Sequence, residues 1–256
     1  MEMTDTSAVY TIWLRELKRF FRAKPRIIGN LMMPFIWFAI MGVGLNSSFV
    51  IPDVRFSYLN FMTPGIIGMS LLFTSIFSAV SVIWEKQFGF LKEILVSPVS
   101  RTSIVIGKIV GSTTVSLISA LIFLAIAVAF NGVPLSGLSV FALLKTISFM
   151  TLISFSFVSI GLVLASKLTN MEGFQVVMSM MVMPLFFLSG AFFPLENAPA
   201  WMQAISYADP LMYGVDGLRG SLLGLHQHAL LVDVSVLAAF SLFMIIVATF
   251  AFRRIQ

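Results

Sequence analysis

Six stretches of the chain run for 19 to 26 residues without an Asp, Glu, Lys, Arg or His: Ile27–Leu45, Leu59–Trp84, Ile109–Phe130, Thr146–Ser166, Phe174–Leu195 and Val234–Phe252. A helix rises ~1.5 Å per residue, so ~20 apolar residues cross the ~30 Å hydrocarbon core of a bilayer. Backbone in lipid must satisfy its own hydrogen bonds, which leaves helices or closed barrels. These stretches are continuously apolar and lack the period-two alternation of a barrel strand. The pattern predicts an all-α integral membrane protein with six transmembrane helices and little soluble mass. The first stretch is read as a span, because its basic leader is long, its apolar run exceeds an h-region, and no small-x-small site follows Leu45.

Between the spans the polar pattern becomes helical. In the leader, at 100° per residue, Val9, Tyr10, Trp13, Leu14, Leu17, Phe20 and Phe21 share one arc, while Thr11, Arg15, Lys18, Arg19 and Arg22 share the other. That is an amphipathic helix lying in a membrane interface, and either lipid anchoring or docking of a partner protein would use it. Glu16 falls on the apolar side, where a carboxylate needs a cationic partner. After the second span, Phe90, Leu91, Ile94 and Leu95 recur at helical spacing, with Lys92 and Glu93 opposite and Pro98 as a stop. Such a helix fits a groove on another protein, or packs beneath its own bundle; periodicity alone favours packing. In the long stretch before the last span, 200–207 reads as a short helix with Trp201 and Tyr207 at headgroup level. Asp209-Pro210 reads as N-cap and first residue of another helix, on which Asp216 and Arg219 are expected to pair as i,i+3 neighbours.

Composition agrees. The chain of 256 residues is 59% apolar and 11% charged, with a mean hydropathy of +1.00, against ~25% charged residues in a soluble domain. It has no cysteine, which excludes disulfides and thiolate metal sites. The net charge of +5 comes from lysines and arginines that divide 13 against 3 between alternate connections. By the positive-inside rule both termini lie in the cytoplasm of a multi-pass plasma-membrane protein, and the basic balance reflects lipid, with no nucleic acid implied.

Candidate chemistry is sparse. A phosphate-binding loop needs G-x-x-x-x-G-K-[ST], but Gly107-Lys108 has Thr102 for the first glycine and Ile109 for the hydroxyl. The spans carry no ionisable group, so no proton relay is visible; Pro34, Pro64 and Pro184 could break helices to expose carbonyls to sodium. His226 and His228 read as polar surface near the last span, and no metal site or catalysis is expected. A secondary transporter or a passive six-helix protein remains the alternative on composition.

The run Glu85…Phe88-Gly-Phe-Leu-Lys-Glu-Ile-Leu-Val-Ser-Pro-Val-Ser-Arg101 with Gly107-Lys108, the run Phe187-Leu-Ser-Gly-Ala-Phe-Phe-Pro-Leu195, and the run Asp209-Pro-Leu-Met-Tyr-Gly-Val-Asp-Gly-Leu-Arg219 together resemble the ABC-2 type transporter permeases. The likeness is nearest to members that export drugs and lipo-oligosaccharides, and it covers essentially the whole chain as one transmembrane domain. It implies that 1–26 is the connecting helix, carrying Arg15, Glu16 and Arg19. It implies that 85–100 is a coupling segment, with Glu85, Phe88, Gly89, Phe90, Leu91, Glu93 and Leu95 against a separate ABC ATPase subunit, and that 196–222 forms re-entrant outer helices. ATP and Mg would be bound by that partner, leaving this chain without a cofactor or enzymatic activity of its own. Two copies would face each other, as a homodimer or with a related permease. Phe73, Phe77, Met178, Met181, Phe186 and Phe187 on the second and fifth spans are the expected path for a hydrophobic or amphipathic substrate.

Overall fold

The computed structural model describes residues 5–46, 56–89, 99–134 and 139–253. The described residues form helices and turns, in the order α1 (Asp5–Arg22), α2 (Lys24–Trp37) running into a π-helical turn (Phe38–Val43), α3 (Tyr58–Ser78), α4 (Val80–Gln87), α5 (Arg101–Ala129), α6 (Val140–Lys167), α7 (Met171–Leu188), a 3₁₀ turn (Leu195–Asn197), α8 (Ala200–Ser206), α9 (Pro210–Leu223) and α10 (Leu230–Arg253). Five helical stretches are long and apolar enough to cross a membrane alone: Tyr58–Gln87, Arg101–Ala129, Val140–Lys167, Met171–Leu188 and Leu230–Arg253. The sixth is the bent pair Asp5–Arg22 and Ile27–Val43, whose arms meet at 70°. The fold is the expected all-α membrane bundle.

Short polar residues start these helices. Ser57 accepts from the Asn60 amide in a reciprocal capping box, and Ser100, Ser139 and Asn170 cap α5, α6 and α7 through their side chains. Asp209 caps α9 as expected, accepting from the Leu211 amide at 2.9 Å with Pro210 next in line. Burial pushes its carboxyl up to about 7, against the pull of that amide.

Apolarity and burial part company, and this locates the lipid. The Tyr58–Gln87 stretch has a mean hydropathy of 2.2 and is 78% buried over its apolar window; Leu230–Arg253 reaches 2.6 and is 17% buried. The outward side of α10 shows Leu231, Leu242, Phe243 and Phe250. Water would not tolerate an apolar surface of this extent, whereas hydrocarbon solvates it. Inside, small polar residues bring helices together: Ser75 of α3 donates to Ser116 of α5 at 3.1 Å, and the Ser156 and Ser241 hydroxyls join α6 to α10 at 2.7 Å.

Several boundaries shift from the expectation. The fifth span was expected to reach Leu195, but α7 stops at Leu188 and the chain turns through Gly190 at φ +71, a conformation natural to glycine. The third begins at Arg101 instead of Ile109, and so takes Lys108 into its body. The last begins at Leu230 and includes Asp233. The fourth likewise begins at Val140 and takes in Lys145, and the second runs on through Glu85 and Lys86, so the helices that span do carry ionisable groups after all. The expected Asp216–Arg219 pair does not form either. Arg219 donates to the Gly190 carbonyl at 2.8 Å and lies 3.9 Å over the Phe61 ring, while Asp216 accepts from the Gln227 and His228 amides at 2.9 Å each. Buried backbone groups without a partner take precedence over the neighbour along the helix.

Candidate functional site

The polar centre of the molecule lies where α1 crosses the ends of α4 and α5. Gly107-x-x-x-Gly111 makes a flat strip on α5, and α1 lies against it. A Cβ on Gly107 would sit 2.9 Å from Ile12 Cβ, and one on Gly111 would sit 3.0 Å from Glu16 Cβ. Close approach over small residues is how helices associate in a bilayer, and here it brings the charges of α1 within reach of α4.

Glu85, 7% exposed, is the hub. It accepts from Lys108 Nζ at 2.7 Å through one oxygen, and from Arg15 at 2.7 Å and Arg19 at 3.2 Å through the other. Glu16 lies 3.4 Å from Arg19, 3.5 Å from Arg15 and 3.9 Å from Lys108. Lys108 is 2% exposed, and among the described residues its ammonium is paired with these two carboxylates. A buried charge is tolerable only when paired in this way. The cationic partner expected for Glu16 is thus supplied by three residues at once.

The neighbours of Glu85 are committed elsewhere. Lys86 donates to the carbonyls of Ala165 and Ser166 at 2.7 and 2.6 Å, closing the exposed C-terminal end of α6. Gln87 donates to the Thr169 carbonyl at 3.3 Å. The last turn of α4 is therefore bonded to α1, α5, α6 and the 168–170 connection. Gly89, at φ +80, then ends it. At the other end of the 90–98 segment, Asp5 of α1 accepts from the Ser100 amide at 3.3 Å and the Ser103 hydroxyl at 2.8 Å. One helix, α1, holds both flanks of that segment.

The expected site residues divide accordingly. Arg15, Glu16, Arg19 and Glu85 converge, although Glu85 faces the chain's own α1 and is covered by it, unlike a residue presented to a partner. Phe88 is 74% exposed beside it. Phe90, Leu91, Glu93 and Leu95 lie outside the described residues. Along the second and fifth spans, Phe73 and Phe77 stack at 6.1 Å and are half-buried, as is Met181. Phe187 is exposed, while Met178 and Phe186 are each 1% exposed and belong to the core. A crevice of about 990 Å³ opens between α1, α4 and α7; Phe77, Trp84 and Phe88 form its apolar wall, and Arg15 and Arg19 its basic edge. Lys108, Lys86 and Asp5 were not singled out from the sequence as site residues. Lys108 had a signal, as the one charge in an apolar run beside Gly107-x-x-x-Gly111.

Residues 7–223 match the ABC-2 type transporter family. The inner membrane transport permease YadH of Escherichia coli (strain K12) is 28% identical over 237 residues, which is 91% of this chain and 90% of that protein. The putative transport permease ycf38 of Cyanophora paradoxa is 28% identical over 195 residues; the match covers 75% of this chain and 66% of that protein, just under two thirds of its length. The probable multidrug ABC transporter permease YbhR of Escherichia coli is 30% identical over 161 residues, or 62% of this chain and 42% of that protein. A match over most of the chain, on a helical membrane bundle, shows that this protein belongs to the ABC-2 type transporter family as a membrane permease subunit of an ABC transporter.

Proposed function

We propose that this subunit exports a hydrophobic or amphipathic substrate using ATP hydrolysed by a separate ABC ATPase subunit, with Mg and nucleotide bound on that partner. The partner seats on 85–100 at the basic, cytoplasmic end, and two permease copies face each other across the second and fifth spans. One observation carries the reading: the segment 90–98 leaves a helical turn that is bonded to three other helices, and α1 grips both of its flanks. A push on that segment is delivered to the first, second, third and fourth spans together. Phe88 and the 90–95 run supply the contact surface, and Glu85 with Arg15, Glu16 and Arg19 transmits its displacement. The crevice beside the cluster, apolar on one wall and basic on its edge, fits an amphipathic molecule arriving from the inner leaflet. Phe73, Phe77, Met181 and Phe187 are then the residues at the seam, with Met178 and Phe186 supporting them from behind.

Co-purification tests this. Burying a leucine contributes ~1.5–3 kcal/mol, and an unpaired buried carboxylate costs more than that gain. Leu91→Asp is expected to leave the bundle's thermal midpoint unchanged and to abolish co-purification with the ABC ATPase subunit co-expressed with it. A stable Leu91→Asp protein that still brings down the ATPase contradicts the docking assignment.

A further inference from the structure

At the far end of the bundle, three potential ligand groups from different parts of the chain converge. Asp216 comes from the middle of α9, His228 from the turn that follows it, and Asp233 from the first turn of α10. One ligand atom from each lies within 4.8 Å of the other two. Both carboxylates are buried, Asp216 at 2% exposure and Asp233 at 0%. Asp216 is fixed by the Gln227 and His228 amides, which also set the turn that presents the imidazole. Among the described residues neither oxygen of Asp233 has a hydrogen-bond partner, and neither has His228 Nδ1. Arg219, the cation on the same helix as Asp216, is committed to the Gly190 and Phe61 carbonyls. A fully buried carboxylate directed at a second carboxylate calls for either a proton shared between them or a cation.

We propose that Asp216, His228 and Asp233 bind a first-row divalent transition-metal cation that staples α9 to the last span. The separation of His228 Nδ1 from Asp216 Oδ2, 3.4 Å, supports this. It is too long for a good hydrogen bond. Two ligands bound ~2.0–2.1 Å from a tetrahedral zinc, however, stand about 3.3–3.4 Å apart. One imidazole with two carboxylates is a mixed nitrogen and oxygen set, which suits Zn²⁺ or its neighbours better than Mg²⁺ or Ca²⁺. The amides on Asp216 would act as the outer shell that orients a ligating carboxylate. Neither the family nor ATPase docking enters this inference. The sequence offered only His226, His228 and Asp233 in one stretch; Asp216 joins them because α9 packs on α10.

The test uses the full chain purified in detergent, stripped with EDTA and titrated with Zn²⁺, reading metal per chain after gel filtration and the thermal midpoint. Co²⁺ in place of zinc reads the ligand field by visible absorption. The expected result is one zinc per chain, a raised midpoint, and cobalt bands of low coordination number. Asp233→Asn and His228→Phe should each lose all three, whereas His226→Gln keeps them. The metal-free Asp233→Asn protein should be at least as stable as the metal-free parent. Sub-stoichiometric zinc in the parent, or equal binding by the Asp233→Asn and His228→Phe proteins, overturns the proposal. A parent that binds no zinc but loses stability as pH rises also overturns it, because a proton shared by the two carboxylates then fills the role.

Discussion

At one end of the bundle Glu85 and Glu16 lie within 4 Å of Arg15, Arg19 and Lys108, on three helices that meet over a glycine strip. At the other end Asp216 and Asp233 converge with the His228 imidazole, and among the described residues no cation but that imidazole approaches the two carboxylates. In both sets the carboxylates are buried; the first ties three helices distant in sequence and the second ties two consecutive ones, yet only the first is electrostatically complete among the described residues. The difference teaches what each can do alone. The complete cluster is a mechanical joint, since any movement of α4 must carry α1 and α5 or break charge pairs in a medium that punishes unpaired charge. The incomplete cluster is a joint whose stiffness depends on something supplied from outside the chain.

The largest effect is expected at the complete end. Lys108→Met keeps most of the side-chain volume but leaves Glu85 and Glu16 short of their buried cation. Breaking a buried pair by removing one partner costs about 3–5 kcal/mol. The thermal midpoint in detergent should fall by several degrees, a clear contrast with the neutral or favourable Asp233→Asn at the metal-free far end. If the two substitutions destabilise equally, the distinction between the ends is lost.

A smaller effect separates packing from charge. Gly107→Leu alters no ion, but its side chain would enter the space held by Ile12 and the Val9 carbonyl. Overpacking of this kind costs about 1–3 kcal/mol, and the strain should be relieved by lifting α1. Limited proteolysis within 5–22 should accelerate while the other helices stay protected. A Gly107→Leu protein with the parent's cleavage pattern would show that charge pairing alone holds α1 in place.

The sequence made the spans legible because a bilayer imposes a long and nearly uniform pattern, and it made the capping of α9 legible because Asp209-Pro210 is a local signal. The amphipathic leader was visible for the same reason, including the misplaced Glu16. Other features depend on which helices touch. Lys108 looked like a connection residue because seven residues of α5 precede it; Ser100 starts the helix that early, and the pairing with Glu85 makes a buried lysine tolerable within it. Asp216 and Arg219 were assigned to each other by spacing along one helix, but carbonyls at 61 and 190 and amides at 227 and 228 competed and won. Met178 and Phe186 share a composition with Phe187, and no pattern in the sequence distinguishes a methionine or phenylalanine at the seam from one in the core.

The central claim is that Glu85 couples the ATPase-docking segment to the spans, and Glu85→Gln tests it most directly. Glutamine keeps the size of the side chain and removes the charge that holds Arg15, Arg19 and Lys108 together. The measurement is the rate of ATP hydrolysis in the assembled complex relative to the free ATPase subunit, with complex formation checked on the same sample. The account predicts that the Glu85→Gln complex still assembles, since the proposed contact surface is Phe88 and the 90–95 run, and that its hydrolysis rate returns to that of the free subunit. An assembled Glu85→Gln complex whose hydrolysis remains under the same control as the parent complex would contradict it.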